Sequence, residues 1–323
     1  MLKKTLAHDI MKKIKLAEDH KMGRFSDGSR VCFVGDSITH ANHFVSHIVD
    51  YYRKNFPKSG IEFYNCGISG GRLGTSLNSF DEDILPWKPT HAVLMIGIND
   101  SNRTLLNSQR ADRYDALAGA FCQYKKNLEL LAERFKDIGA ELTLCTPAPY
   151  AEYIESSVEP LRGCSALMLG YSEYLKSFAK EKGYPLCDYH SYMTRLLSSS
   201  DEVLYGADRV HPTKEGHFYM AKCFLEFQGL ELEDRAISPE LDEWRKAVNS
   251  LRDTLATEHF LLNDDFTKSD EERMAAICAY RDDPVEGPHK DYFLSLARAY
   301  PENKKKQKEN LAFVKEFMKK QLD

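Results

Sequence analysis

Two short segments of the chain contain the residues that a serine nucleophile and its base require. The apolar run Val31–Val34 breaks into Gly35-Asp36-Ser37. A serine hydroxyl attacks a carbonyl only when a base removes its proton, and a neutral histidine suits that role. His211 follows Asp208 by three residues, so on a tight turn the carboxylate can hold the imidazole tautomer and stabilise the imidazolium. This pattern predicts Ser37 as nucleophile, His211 as base and Asp208 as the partner of His211.

Two further polar turns contain candidate donors for an oxyanion. A glycine-rich loop from Cys66 to Thr75 follows one predicted strand, and Gly97-Ile98-Asn99-Asp100 follows the next. If both strands flank the strand before Ser37, the three turns meet at one edge of the sheet. We expect three donors there, the backbone N–H groups of Ser37 and Gly70 and the side-chain amide of Asn99, each typically worth about 2.7 to 4 kcal/mol in the transition state.

The elements that must position these residues alternate between strands and helices. Apolar runs predict strands at 30–34, 61–65, 91–96, 141–145 and 185–188, and nearly unbroken runs are typical of a parallel sheet buried on both faces. Helical spacing predicts helices at 42–56, 112–136, 165–182 and 212–227, the last with Pro212 in its first turn. This alternation predicts a doubly wound, three-layer α/β/α fold with about five parallel strands.

The two ends of the chain differ from this pattern. At the N-terminus, Leu2, Leu6, Ile10 and Ile14 predict an amphipathic helix. After Gly229 strands disappear, and helices are predicted at 241–255, 271–280 and 304–322. We therefore predict an N-terminal helical segment over 1–27, a catalytic domain over 28–230 and a C-terminal helical extension over 231–323, which we expect to cover the site or to form a homo-oligomer.

Composition excludes several classes of partner. The 323 residues carry a net charge of −5 with 42% hydrophobic and 29% charged residues, which is typical of a globular protein and gives no reason to expect nucleic acid. No apolar run approaches the roughly 18 residues of a membrane span, and charged residues interrupt the N-terminal segment where an export signal would be apolar. The eight cysteines are scattered without a Cys-x-x-Cys pair. We expect a cytoplasmic protein that inserts into no membrane.

Several residues near these turns have alternative interpretations. Gly67-Ile68-Ser69-Gly70-Gly71 matches the Gly-x-Ser-x-Gly elbow, which would make Ser69 the nucleophile. His40, His43 and His47 have helical spacing, but nearby acids do not complete a metal cage, so neither a metal nor another cofactor is expected. Substrate-binding candidates adjoin the motifs, namely Asp36, His40, Arg72 and Arg103.

The four motifs together resemble the SGNH hydrolases, also called GDSL esterases or lipases. Gly35-Asp36-Ser37, Asn65-x-Gly67-x-x-Gly70, Gly97-x-Asn99-Asp100 and Asp208-x-x-His211 occur in the family's order, within roughly residues 28 to 227. The resemblance implies a flavodoxin-like fold and hydrolysis of a small-molecule ester through an acyl-serine intermediate. Small O-acyl esters are the expected substrates, with a carbohydrate O-acetyl ester favoured. The alternatives are a lysophospholipase or short-chain lipase-like esterase, an acyltransferase and a non-catalytic binding module.

Overall fold

A computed structural model describes residues 22–263, 267–287 and 290–320 of the chain. The predicted N-terminal helix over residues 2–14 lies outside the described residues. The described strands, helices and contacts all lie within these three ranges.

Five parallel strands form the sheet, and each precedes a helical segment of the chain. The strands are β1 (Arg30–Gly35), β2 (Glu62–Gly67), β3 (His91–Met95), β4 (Glu141–Cys145) and β5 (Leu186–Cys187). Their order in the sheet is β2-β1-β3-β4-β5. β1 runs parallel to β2 with Arg30 opposite Glu62, and β3 runs parallel to β4 with His91 opposite Glu141. This order confirms the predicted doubly wound, flavodoxin-like fold class.

The helices agree with the sequence prediction where the apolar period is long. In chain order they are α1 (Ser37–His40), α2 (His43–Asn55), α3 (Leu73–Asn78), α4 (Arg113–Asp137), α5 (Cys164–Lys182), α6 (Tyr189–Ser199), α7 (Lys214–Phe227), α8 (Glu240–Leu262), α9 (Asp270–Asp282) and α10 (Lys290–Lys319). The sequence prediction does not include α1 and α3, which have only four and six residues, or α6, which has 11. The predicted start of α10 lies too late in the chain, because Pro301 lies inside this helix.

Pro212 does not occupy the first turn of a helix, so that prediction is wrong. It pairs with Tyr205 in an isolated antiparallel bridge, and α7 begins only at Lys214. Thr213 is the N-cap, and its hydroxyl accepts a hydrogen bond from the N–H of Gly216 at 3.2 Å. A threonine hydroxyl satisfies an otherwise unpaired helix donor, so the helix begins after Thr213.

The described residues divide into two compact units. Residues 27–90 and 237–320 form one of them, which we call the serine unit because it contains Ser37. Residues 22–26 and 91–236 form the other, which we call the histidine unit because it contains His211. The helices α8, α9 and α10 therefore belong to the same unit as β1 and β2. The predicted domain boundary near residue 230 stays a prediction.

Within the serine unit, a buried ion pair fixes α8. Arg252 Nη1 lies 2.6 Å from Asp83 Oδ1, and the two side chains are only 6% and 3% exposed. Asp83 belongs to a π-helical turn, Phe80–Ile84, that follows α3. Further along α8, the buried Glu258 binds Arg273 of α9 and Lys304 of α10, each at 3.0 Å. Charged groups thus connect the C-terminal helices to each other and to the rest of the serine unit.

Within the histidine unit, aromatic side chains connect the helices. The rings of Tyr124 on α4 and Tyr171 on α5 lie 4.8 Å apart, and Phe25 stacks on Phe224 of α7. Two buried cysteines, Cys187 and Cys223, have their sulfurs 3.8 Å apart without a disulfide. Burial raises the pKa of both thiols, so they pack as small apolar groups. Among the described helices, none has both the length and the apolar character needed to cross a membrane.

The buried ion pair leads to a stability prediction. Arg252→Met leaves the Asp83 carboxylate buried without its partner, and we expect the free energy of unfolding to fall by about 3–5 kcal/mol. Urea denaturation measures this change. The double variant Asp83→Leu/Arg252→Met removes both charges and is expected to recover most of the loss. As a surface control, Arg110→Ala breaks an exposed pair with Asp112 and is expected to leave the urea unfolding curve nearly unchanged. A loss of stability in Arg252→Met no larger than that in Arg110→Ala would contradict the structural role of the buried pair.

Candidate active site

Ser37 stands at the first position of α1, directly after β1. Asp36 precedes it as the N-cap, and its carboxylate accepts a hydrogen bond from the N–H of Ile38 at 3.0 Å. The serine is therefore not the cap residue, although serine is a favoured cap. Asp36 is buried while Ser37 is partly exposed. Asp36 therefore stabilises the start of α1, while the side chain of Ser37 stays partly exposed.

The amide of Asn65 connects the turn after β1 to the loop after β2. Its Nδ2 donates to the backbone oxygen of Thr39 at 2.7 Å and to Asn42 Oδ1 at 2.9 Å, while its Oδ1 accepts from the N–H of Gly67 at 2.8 Å. Asn42 has a positive φ of 61°, which asparagine tolerates better than most residues. Asn65 belongs to the second motif, but the sequence alone predicts no role for its side chain.

Glycine is required at Gly67 and at Gly70 for different reasons. A Cβ at Gly67 would lie 2.4 Å from the backbone nitrogen of His40, so only glycine allows the loop to approach α1 this closely. Gly70 has a φ of 73°, and a Cβ there would lie 2.3 Å from Cζ of Phe260 on α8. The predicted oxyanion donor therefore lies on a loop that contacts both α1 and a C-terminal helix.

His40, predicted to bind substrate, is buried and makes two hydrogen bonds inside the serine unit. Its Nδ1 accepts from the backbone N–H of Ser69 at 3.1 Å. Its Nε2 lies 3.0 Å from Asp253 Oδ1 on α8. Nδ1 of His43 instead lies 3.4 Å from Nη1 of Arg245 on α8. The described residues contain no cluster of three or more acidic, histidine or cysteine side chains that could hold a metal.

In the histidine unit, Arg103 orients the side chain of Asn99. Arg103 Nη1 donates to Asn99 Oδ1 at 3.2 Å and to the backbone oxygen of Ile98 at 2.9 Å. Because a guanidinium only donates, it identifies the amide oxygen and leaves Nδ2 as the donating end of Asn99. Arg103 was predicted as a substrate-binding residue, and the structure gives it an orienting contact.

Asp208 and His211 are in direct contact. His211 Nδ1 lies 2.5 Å from Asp208 Oδ2, while Asp208 Oδ1 accepts the backbone N–H groups of Val210 and His211, each at 3.0 Å. Burial acts to raise the pKa of Asp208, but the hydrogen bonds from His211 and from the two backbone N–H groups outweigh it and hold the pKa well below its usual range. The carboxylate is therefore ionised at neutral pH and can stabilise a protonated imidazole.

Arg209 holds this turn in an uncommon backbone conformation. Its φ is 65°, and a non-glycine residue reaches this region at an energetic cost that the surroundings must offset. Its buried guanidinium donates to four backbone oxygens, those of Ala151, Glu152, Ile154 and Val158, at 2.6 to 3.3 Å. This role could not be predicted from the sequence, because nothing local to Arg209 indicates partners some fifty residues away.

The remaining candidates lie in less enclosed positions. Arg72, predicted to bind substrate, is exposed just before α3. Ser69, the alternative nucleophile, is followed by two glycines, and α3 begins only at Leu73. A nucleophile elbow requires an immediate helix after the serine, and the lone pair of His40 Nδ1 is directed to the backbone N–H of Ser69. The local structure therefore gives Ser69 neither an elbow nor a base in His40.

The chain is similar to proteins of known function and structure. It is 27% identical over 224 residues to an acetylxylan esterase from Geobacillus stearothermophilus, covering 64% of this chain and 97% of that protein. The crystal structure of Axe2, an acetylxylan esterase from the same organism, matches with a TM-score of 0.54 and 26% identity over 64% of this chain and 96% of that one. These two matches leave about a third of this chain uncovered.

A third similarity extends further along the chain, and a family model covers the motifs. The structure of BT4096, a gut microbial diltiazem-metabolizing enzyme, matches with a TM-score of 0.66 and 16% identity over 94% of this chain and 98% of that one, which shows a shared fold. A family model described as GDSL-like Lipase/Acylhydrolase matches residues 31–224, which include all four motifs. The chain therefore belongs to the GDSL-like lipase/acylhydrolase family and is an ester hydrolase.

Proposed function

We propose that the protein is a serine esterase that removes small O-acyl groups, with a carbohydrate O-acetyl ester as its substrate. The observation that carries the proposal is the contact of 2.5 Å between Asp208 Oδ2 and His211 Nδ1, because this pair prepares a histidine to act as a base. The acetylxylan esterase to which the chain is similar supports an acetyl ester of a carbohydrate.

In the proposed mechanism, the reaction proceeds in two steps that share one base. His211 Nε2 takes the proton of Ser37 Oγ as the oxygen attacks the ester carbonyl, and then gives it to the leaving alcohol. This leaves an acyl group on Ser37. A water molecule, deprotonated by the same nitrogen, attacks the acyl carbonyl, and the proton returns to Ser37 as the carboxylic acid leaves. Asp208 remains ionised throughout and stabilises the imidazolium formed in each step.

The backbone N–H groups of Ser37 and Gly70 and Nδ2 of Asn99 are the proposed donors to the oxyanion. The contact between Arg103 and Asn99 Oδ1 supports this role, because it leaves Nδ2 as the donating end. Fixed donors contribute most where they need not reorganise during the reaction. Among the residues proposed to bind substrate, Arg72 has an exposed side chain, and we keep it as the proposed contact to polar groups of the leaving alcohol.

Two further expectations from the sequence stay predictions. They are a cytoplasmic location and a homo-oligomer formed through the helices after residue 230. The eight free cysteines are compatible with a reducing compartment. Light scattering on the full chain tests the oligomer.

Replacing Ser37 tests the nucleophile. We expect Ser37→Ala to lower kcat for p-nitrophenyl acetate by at least about 10³-fold and to abolish labelling by an organophosphonate. Ser69→Ala keeps its backbone N–H and is expected to retain turnover and labelling. Peptide mass mapping identifies the labelled residue. Labelling at Ser69, or unchanged turnover in Ser37→Ala, would contradict the assignment.

The pH dependence tests the roles of Asp208 and His211. Because the pKa of Asp208 lies well below its usual range, only the protonation of His211 should remove activity as the pH falls from neutral. A plot of log kcat/KM against pH is therefore expected to have a slope of one on its acid side, and a slope of two would show that Asp208 also titrates. Asp208→Asn is expected to lower kcat by on the order of 10³–10⁴-fold at neutral pH.

Acyl chain length tests the substrate class. Across p-nitrophenyl esters from acetate to decanoate, we expect kcat/KM to be highest for acetate, with Ser37→Ala measured as the background. Release of acetate from an acetylated xylooligosaccharide then tests the carbohydrate. A maximum at eight carbons or longer would instead favour the lysophospholipase or lipase-like alternative.

A further inference from the structure

The C-terminal helix α8 contacts the segment that contains the proposed nucleophile through one histidine. His40 is the last residue of α1, the helix that begins with Ser37. Its Nε2 lies 3.0 Å from Asp253 Oδ1, a carboxylate 213 residues later in the chain. The histidine is only 8% exposed, whereas the side chain of Asp253 is 40% exposed, so the contact joins a buried ring to a carboxylate at the protein surface.

The two hydrogen bonds of His40 determine its tautomer. The backbone N–H of Ser69 can only donate, so Nδ1 of His40 must be the accepting nitrogen. Nε2 then carries the ring proton in the neutral histidine and donates it to Asp253. One neutral ring therefore joins three segments, which are α1, the loop after β2 and α8.

Further contacts from the C-terminal helices reach the same loop. The ring of Phe260 lies against Gly70, and Ile68 packs with Ala256 of α8 and Leu296 of α10. The ring of Tyr292 on α10 meets the ring of Phe260 edge to face, with the centroids 6.4 Å apart. The loop from Ile68 to Gly70 is thus held from one side by α1 and from the other by α8 and α10.

This loop contains a group whose placement the proposed reaction depends on. The N–H of Gly70 is a proposed oxyanion donor. The preceding N–H in the chain, that of Ser69, donates to Nδ1 of His40. Misplacing a catalytic group by about 1 Å can cost about 10²-fold in rate. A residue that fixes this loop therefore affects the transition state more than the binding of the ground state.

We propose that His40 and Asp253 are positioning residues for the oxyanion loop. Asp253 fixes the ring of His40 through Nε2, and Nδ1 of that ring holds the Ser69–Gly70 segment in register with Ser37. This inference rests on the proposed function, and it gives the C-terminal helices a part in catalysis beyond stabilising the fold. The ring itself transfers no proton in this role.

Substitutions of His40 separate its two hydrogen bonds. In His40→Asn the side-chain oxygen can take the place of Nδ1 and accept from Ser69, but Asp253 loses its partner. In His40→Gln the side-chain amide can reach Asp253, but the acceptor for Ser69 is lost. His40→Ala removes both. Asp253→Ala removes the outer bond alone and leaves His40 in place.

For p-nitrophenyl acetate, we expect His40→Ala and His40→Gln to lower kcat by roughly 10- to 100-fold with KM nearly unchanged. His40→Asn is expected to recover most of this loss, and Asp253→Ala to show a smaller decrease in kcat than His40→Ala. The matched control is His43→Ala, which also breaks a contact with α8, that of His43 with Arg245, and leaves both hydrogen bonds of His40 in place. We expect its kcat to equal that of the unmodified protein.

The outcomes separate this inference from the proposed function. If the unmodified protein hydrolyses no activated acetate ester, the proposed function itself fails. If the unmodified protein is active and Ser37→Ala is not, any one of three results overturns the inference. They are an unchanged kcat in His40→Gln, a rise in KM without a fall in kcat in His40→Ala or His40→Gln, and equal losses of kcat in His40→Asn and His40→Gln. Thermal unfolding of each variant is measured in parallel. A loss of kcat that follows the fall in Tm across all variants, His43→Ala included, also overturns it.

Discussion

The serine unit depends on the side-chain amide of Asn65, which joins the segment containing Ser37 to the loop containing Gly70. The amide is buried, so its two donors and its oxygen must all find partners inside the protein. They do so at Thr39, Asn42 and Gly67, at 2.7 to 2.9 Å. An aspartate of the same shape has no proton to offer the first two acceptors, so the amide is required.

In the histidine unit, a buried guanidinium takes the place of the amide and holds the turn that contains the residues proposed for chemistry. There the turn from Asp208 to His211 is held by the guanidinium of Arg209, which satisfies four backbone oxygens of the segment after β4. The left-handed φ of Arg209 turns Asp208 and His211 toward each other across it. In both units a buried polar side chain binds backbone, and the residues proposed for chemistry stand beside it.

Prediction from the sequence succeeded where the signal is local. Buried strands appear as apolar runs and turn residues follow them directly, so the ends of β1 and β3 could be predicted. The contact between Asp208 and His211 could be predicted because only three positions separate the two residues. Short helices such as α1 and α3 lack a full apolar period and were not predicted. Pro212 was misplaced because a proline before a threonine cap resembles a proline in the first turn. Partners distant in sequence, such as His40 and Asp253, leave no local pattern.

In the C-terminal helices, one buried ion pair determines which distant residues meet. A buried pair such as Arg252 and Asp83 contributes little net stability compared with an apolar pair of similar volume, since both charges lose their hydration. However, a shift of α8 by one turn would leave both charges buried and unpaired. The docking that satisfies Arg252 also determines where its neighbour Asp253 points, and Asp253 meets His40. The ion pair thus selects one position of the helix, and that position places a carboxylate next to the last residue of α1.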